Sequence, residues 1–98
     1  MKVAFEDDDL EELEIDPRSD GGLPQGVVRS FRRRMQQIRA AQDEQDFHKN
    51  RGMNFEKLRG DRAGQHSIRL NDQFRLIVRI EGAKDEKTVI IIEITDYH

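Results

Sequence analysis

Residues 88–98 read Thr88-Val89-Ile90-Ile91-Ile92-Glu93-Ile94-Thr95-Asp96-Tyr97-His98. β-branched residues fill nearly every position of the first part, and no Gly, Pro or Asn interrupts them, so this run predicts a strand. Because the run is apolar on both faces, we expect it to be a central strand of a sheet. Three polar side chains follow it directly, namely Asp96, Tyr97 and His98. Polar groups held at the end of a buried strand indicate a functional site at that end of the sheet.

Composition limits what surrounds this strand. The chain has 98 residues, which predicts one domain over residues 1–98 that buries only about 60–65% of its unfolded surface. The absence of Cys excludes disulfides and thiolate chemistry and fits a reducing compartment. No signal-peptide pattern occurs, and the apolar run of the last strand is too short to span a bilayer. We therefore expect a cytoplasmic protein without a membrane partner.

Charge is distributed unevenly along the chain. Residues 1–20 hold nine acidic residues and two basic ones, whereas residues 29–79 hold thirteen basic residues and six acidic ones. A basic body with an acidic lead-in is compatible with a polyanionic partner, either nucleic acid or an acidic protein. The ordinary alternative is that most of these charges only solvate the surface.

The first half of the chain predicts an edge strand and helices. Residues 1–5 are β-prone, and residues 6–16 predict a short helix with an apolar stripe at Leu10, Leu13 and Ile15. Residues 24–41 predict the longest helix, with Pro24 in its first turn. Its apolar face comprises Val27, Val28, Phe31, Met35, Ile38 and Ala41. Its outer face is expected to be strongly basic because the remaining positions include Arg29, Arg32, Arg33, Arg34 and Arg39. Residues 43–46 are expected to form either a further helical turn or a second short helix, and residues 48–54 a loop.

The second half of the chain predicts strands. A strand-like segment at residues 55–58 precedes a basic loop at residues 59–64. Residues 66–70 alternate, with Ile68 and Leu70 inward and Ser67 and Arg69 outward. Asn71 and Asp72 predict a two-residue turn. In the return strand, residues 73–80, one face holds Phe74, Leu76, Val78 and Ile80, and the other holds Arg75, Ile77 and Arg79.

These elements predict an α+β fold with an N-terminal strand and two or three helices packed on a mainly antiparallel sheet of four or five strands. One face of the sheet is then covered by helices, and the other is partly open and basic. The open face carries Arg69, Arg75 and Arg79, with Arg59 and Arg62 at its rim.

Guanidinium groups suit phosphate because their planar fork donates two parallel hydrogen bonds. Together with an acid, a phenol and an imidazole at one edge, they are compatible with RNA cleavage without a metal, or equally with binding an acidic segment. No zinc, P-loop or dinucleotide motif occurs.

One segment is more specific than this general pattern. Residues 55–76 read FEKLRGDRAGQHSIRLNDQFRL, and a strand and the terminal Asp96-Tyr97-His98 follow. The Leu58-Arg59-Gly60-Asp61-Arg62-Ala63-Gly64 stretch, the Ser67-Ile68 strand, the Phe74-Arg75 pair and the final triplet resemble, in this order, the HigB-type killer proteins of the RelE/ParE toxin superfamily. Over residues 1–54 the resemblance consists only of the order of elements and Gly22-Leu23-Pro24.

The resemblance implies a ribosome-dependent, metal-independent mRNA endonuclease without a cofactor. By position, Arg59 and Arg75 would contact the scissile phosphate, and Tyr97 would hold or stack a base. Asp96 and His98 would share proton transfer, with base and acid left unassigned. Further RNA contacts are expected from Lys57, Arg62, Arg69 and Arg79. Many members have a His at the position of Glu56, which is therefore its possible replacement.

The resemblance also implies partners. They are a HigA-like helix-turn-helix antitoxin, the ribosome and mRNA, with operator DNA reached only through the antitoxin complex. Two alternatives within the same fold stay open. One is a catalytically weak or silent protein that binds the antitoxin as a co-repressor, and the other is a ParE-like inhibitor of DNA gyrase.

Overall fold

The structure is a computed structural model that describes residues 1–96, and Tyr97 and His98 lie outside the described residues. Its elements in chain order are β1 (Lys2–Phe5), α1 (Asp8–Ile15), α2 (Gln25–Ala40), α3 (Glu44–Lys49), β2 (Glu56–Lys57), β3 (His66–Arg69), β4 (Phe74–Glu81) and β5 (Thr88–Asp96). Two 3₁₀ turns lie at Arg51–Met53 and Gly60–Arg62. Within residues 1–96, no helix has the length and apolar character needed to cross a membrane.

The strands form one five-stranded sheet in the order β1-β5-β4-β3-β2. β1 runs parallel to β5, and the other neighbouring strands are antiparallel. β5 thus lies between β1 and β4, which confirms the prediction of a central strand, and β1 is an edge strand as expected. The predicted α+β fold, with helices on a mainly antiparallel sheet, is confirmed.

The core lies between the helices and one face of the sheet. The predicted apolar face of α2 is buried throughout, and Phe31, Met35 and Ile38 are completely inaccessible. From α1, Leu10 and Leu13 join this core, but Ile15 is 71% exposed, so its predicted place in the stripe is wrong. At about 100° per residue, Ile15 lies roughly 200° from Leu13 and points to solvent.

Three local predictions differ from the structure. Pro24 directly precedes α2 instead of lying in its first turn, and its carbonyl accepts hydrogen bonds from the amides of Val27 and Val28. The loop expected over residues 48–54 is partly helical, because α3 extends to Lys49 and a 3₁₀ turn follows. Asn71 and Asp72 do not form a two-residue turn, since three residues separate Leu70 from Phe74, whose carbonyl accepts from the Leu70 amide.

The side chain of Asn71 determines this longer turn. Its Oδ1 accepts hydrogen bonds from the amides of Gln73 and Phe74, at 2.9 and 2.7 Å. With these bonds the Asn71 side chain mimics a backbone turn, so no residue of the turn needs the left-handed conformation. Consistent with this, Asn54 is the single non-glycine residue with positive φ in the part of the chain that the structure describes.

β5 contains a bulge in its pairing with β4. Ile77 lies opposite Glu93 and Val78 lies opposite Ile91, so Ile92 is an extra residue on β5. A bulge shifts the alternation of side chains by one residue. Ile91 and Ile94 consequently both face the helices, while Glu93 and Thr95 face the opposite side of the sheet.

Arginines of α2 mostly support the fold and do not form the expected basic outer face. Arg34 is 7% exposed and donates to the carbonyls of Arg69 and Gly52, at 2.9 and 2.6 Å, and to the amide oxygen of Gln37. The buried Arg34 side chain thus joins α2 to β3 and to the 3₁₀ turn at Arg51–Met53.

Two more arginines of α2 bind α1 and the loop after it. Arg32 donates to the carbonyls of Leu13 and Asp16 at the end of α1 and of Ser19 in the loop after it, so it satisfies oxygens that no helical amide reaches. Arg39 forms a two-bond ion pair with Glu14. Of the five arginines predicted outside the apolar face, Arg29 and Arg33 remain exposed without such contacts inside residues 1–96.

The contribution of buried Arg34 to stability can be compared with that of its exposed neighbour Arg33. We expect Arg34→Ala to lower the free energy of unfolding by about 2–4 kcal/mol, because partly buried carbonyls lose a charged donor. Arg33→Ala should change it by less than about 0.5 kcal/mol. Urea unfolding of both variants measures the difference, and equal effects would contradict the role assigned to Arg34.

An aromatic cluster lies under α3. The Phe55 ring stacks on His66, with centroids 4.6 Å apart and planes 5° from parallel, and it meets the rings of Phe47 and His48 edge-on. Burial, followed by the charges of Lys57 and His48, lowers the pKa of His66. Glu44 opposes this shift, although its carboxylate is already paired with Lys87.

The lowered pKa of His66 makes stability depend on pH. The unfolded chain binds a proton near pH 6.5, whereas the folded chain resists it, so stability is present above about pH 6.5 and declines as pH falls through this value. His66→Phe keeps the stack and removes the titration. Urea unfolding at pH 7.5 and 5.5 should therefore show a smaller decline for His66→Phe than for the unmodified chain, and equal declines would exclude His66 as the cause.

Candidate functional site

The sheet face opposite the helices carries the predicted phosphate-binding groups. Strand register arranges its side chains in rows across the strands. One row holds Arg69, Arg75 and Thr95, and the next holds Ser67, Ile77 and Glu93. We call this side of the sheet the open face. Its first row lies at the end of the sheet where β4 begins and β5 ends.

Most arginines of the open face are paired with carboxylates. Arg62 Nη2 lies 2.6 Å from Glu93 Oε1, and Arg79 Nη2 lies 2.9 Å from Glu6 Oε2 and interacts further with Glu81. Arg69 forms an ion pair with Asp72. These carboxylates make the open face less basic than expected. They also reduce the repulsion between arginines on adjacent strands.

Arg75 and Arg59 occupy different settings on this side. Arg75 Nη1 donates to the carbonyl of Asn71 at 3.0 Å, which fixes the side chain against the β3–β4 turn. Arg59 is exposed at the start of the Gly60–Arg62 turn. Its guanidinium makes no hydrogen bond or ion pair in residues 1–96.

The short strand β2 separates two other predicted residues. Glu56 lies opposite Ser67 and therefore faces the open side, whereas Lys57 lies opposite His66, whose side chain points toward the helices. Side chains of successive strand residues point to opposite faces. The structure thus brings Glu56, but not Lys57, onto the same face as Arg75.

Asp96 reaches the same end of the sheet as Arg75 but not the same face. Its register partner is Phe74, which packs against the core, and its Oδ2 accepts a hydrogen bond from Gln73 Nε2 at 2.8 Å. The β5 bulge causes this, because strict alternation from Ile90 would have turned Asp96 to the open face. The other two predicted residues of this group, Tyr97 and His98, lie outside the described residues.

Glu93 is a residue of this face that the sequence analysis did not select. It is the single acid between Val89 and Ile94. A charged residue within an apolar strand is uncommon unless it has a partner, and this signal would have indicated a pair. Residues 1–96 contain no group of three or more His, Asp or Glu side chains arranged to hold a metal ion.

Comparison with known proteins identifies the family. The family model described as RelE-like toxin of type II toxin-antitoxin system HigB matches residues 3–98. The chain is also 35% identical over 77 residues to Toxin HigB-1 of Vibrio cholerae serotype O1 (strain ATCC 39315 / El Tor Inaba N16961), a match that covers 79% of this chain and 81% of that protein.

Solved structures share the fold. The YoeB/ParE toxin from Agrobacterium tumefaciens superposes with a TM-score of 0.62 at 19% identity, with all of both chains covered. A chain of the YoeB-YefM complex from Staphylococcus aureus gives 0.58 at 17% identity, covering 100% of this chain and 97% of that one. At these identities the likeness concerns the fold alone. The family match over residues 3–98 goes further, and the chain therefore belongs to the HigB-like family of RelE-like toxins of type II toxin-antitoxin systems.

Proposed function

We propose that this protein is a metal-independent endoribonuclease that cleaves mRNA on the translating ribosome. One observation carries the proposal. Arg75 lies opposite Thr95, so the strand register brings a phosphate-binding group to the residue just before Asp96-Tyr97-His98. A group that binds phosphate and groups that can transfer protons thus come from the same end of the sheet.

The proposed reaction needs no external reagent. The 2′-OH attacks the adjacent phosphorus, the bond from phosphorus to the 5′ oxygen breaks, and a cyclic phosphate forms. Of Asp96 and His98, one takes the proton of the 2′-OH and the other protonates the leaving 5′ oxygen. For Asp96 this requires that its carboxylate releases Gln73 and turns around the end of β5 to the face that carries Arg75. Arg59 and Arg75 stabilise the negative charge that grows on the phosphate, and Tyr97 stacks on a base.

Additional RNA contacts are proposed for Arg69 and Arg79 on the open face, and for Lys57, which is exposed at the edge of the sheet and points to the helical side. The ion pairs of Arg69 and Arg79 involve partly exposed side chains, and such pairs contribute only about 0–1 kcal/mol. Exchange of the carboxylate for a phosphate therefore costs little. Arg32 and Arg34 are not proposed to bind phosphate, because both donate to backbone carbonyls inside the fold.

The antitoxin is proposed to be a HigA-like helix-turn-helix protein, and contact with operator DNA is proposed to occur only through it. The acidic first turn of α1, with Asp8, Asp9 and Glu11, would repel ribosomal RNA. Because α1 packs against α2 on the helical side of the sheet, the proposed RNA contacts on the open face avoid this acidic turn.

The catalytic assignment predicts the effect of three substitutions. Arg75→Ala, Asp96→Ala and His98→Ala should each reduce cleavage by at least about 100-fold, since each removes charge stabilisation or proton transfer. Arg33→Ala removes an exposed arginine from the helical side and should leave cleavage unchanged. The measurement is cleavage of a defined mRNA on translating ribosomes. Undiminished cleavage by all three variants would rule the assignment out.

Glu56 gives a second test, because it stands where many family members have His. If Asp96 and His98 carry proton transfer, Glu56→Gln should reduce kcat by less than about threefold, and Glu56→His should raise it by up to about tenfold. The same ribosome assay measures both variants. A loss of about 100-fold in Glu56→Gln would instead make Glu56 the base.

A further inference from the structure

An ion pair on the open face spans a long distance across the sheet. Arg62 lies in the loop between β2 and β3, whereas Glu93 lies on β5, with β4 between β3 and β5. Two strand spacings separate β3 from β5, which is roughly 10 Å. Arg62 Nη2 nevertheless lies 2.6 Å from Glu93 Oε1, so these two long side chains reach toward each other across the open face.

Burial on the open face agrees with an ion pair that lies across it. Ser67 and Ile77 lie beside Glu93 in one row and are only 1% and 0% exposed. No described helix covers this side of the sheet, and Ile77 does not belong to the apolar cluster that joins the helices to the sheet. Ser67 was predicted to point outward, and the structure places it on the open face but buried.

The loop is tightly bonded within itself. The Arg62 amide donates to the Arg59 carbonyl at 3.3 Å, the Leu58 amide donates to the Gln65 carbonyl at 3.0 Å, and Arg62 Nη1 donates to Gln65 Oε1 at 2.9 Å. Gly60 turns the chain at φ +67°, a value that residues with a Cβ rarely adopt. Arg59 is thus one tight turn away from Arg62, and displacement of Arg62 displaces Arg59.

We propose that Glu93 is a positioning residue, which acts through Arg62 to tie residues 58–65 to the open face of the sheet and so fixes Arg59 for phosphate binding. We call the Arg62–Glu93 pair the clasp. This inference rests on the proposed function, because it gives Arg59 its position at the scissile phosphate. Arg62 then serves the clasp instead of binding RNA directly. The two side chains are 37% and 43% exposed, so the clasp contributes little to global stability and acts locally.

The test uses the full chain and two independent readouts. Glu93→Gln removes the clasp. Glu14→Gln is the control, because it breaks an arginine–glutamate pair between α1 and α2, and with Glu14 only 15% exposed it is the more severe of the two changes. Amide hydrogen exchange at Leu58, Arg62 and Gln65 should accelerate by about tenfold in Glu93→Gln and not in the control. The double variant Arg62→Glu/Glu93→Arg should restore slow exchange.

Cleavage on translating ribosomes supplies the second readout. Glu93→Gln should lower kcat by about tenfold with KM nearly unchanged, since misplacing a bound group affects the transition state more than substrate binding. Unchanged exchange in Glu93→Gln would overturn the clasp. Faster exchange with unchanged kcat would overturn the positioning of Arg59. If the unmodified chain cleaves no mRNA, the proposed function fails, and the exchange data still decide whether the clasp exists.

Discussion

The arrangement of this protein depends on one break in the alternation of β5. The residues of this apolar run are similar enough that either set could face the helices. Because Ile92 is an extra residue, Ile91 and Ile94 both pack against the helices, although they are three positions apart. The same break turns Glu93 to the open face and places Thr95 beside Arg75. One inserted residue therefore sets both the core on one side of the sheet and the charge pattern on the other.

Sequence patterns predicted what depends on local periodicity. The apolar face of α2 and the central position of β5 follow from the spacing of Phe31, Met35 and Ile38 and from the β-branched run of residues 88–92, and both are confirmed. The family was also predictable, because its motifs lie within a continuous segment. The bulge was not, since nothing local distinguishes Ile92 from its neighbours and its unpaired state is a property of the β4–β5 register.

Charges were the least predictable part. Arg34 looks like any other arginine of α2, yet it is buried because the carbonyls of Arg69 and Gly52 lie within its reach. The partners of Arg62 and Arg79 are distant in sequence, so counting bases along the chain overestimated the positive charge of the open face. Of the candidate site, the sequence indicated residue types and order, while the face on which Asp96 lies required the sheet.

The edge strand β2 has a consequence for how copies of the chain meet. It is only two residues long, and both residues, Glu56 and Lys57, are exposed and charged. Long, flat, apolar edges are the ones that recruit further strands, whereas short charged edges do not. At this edge the sheet offers a foreign strand almost no backbone to pair with. A chain separated from its partner is thereby protected, on this side, from the edge-to-edge stacking that leads to aggregates.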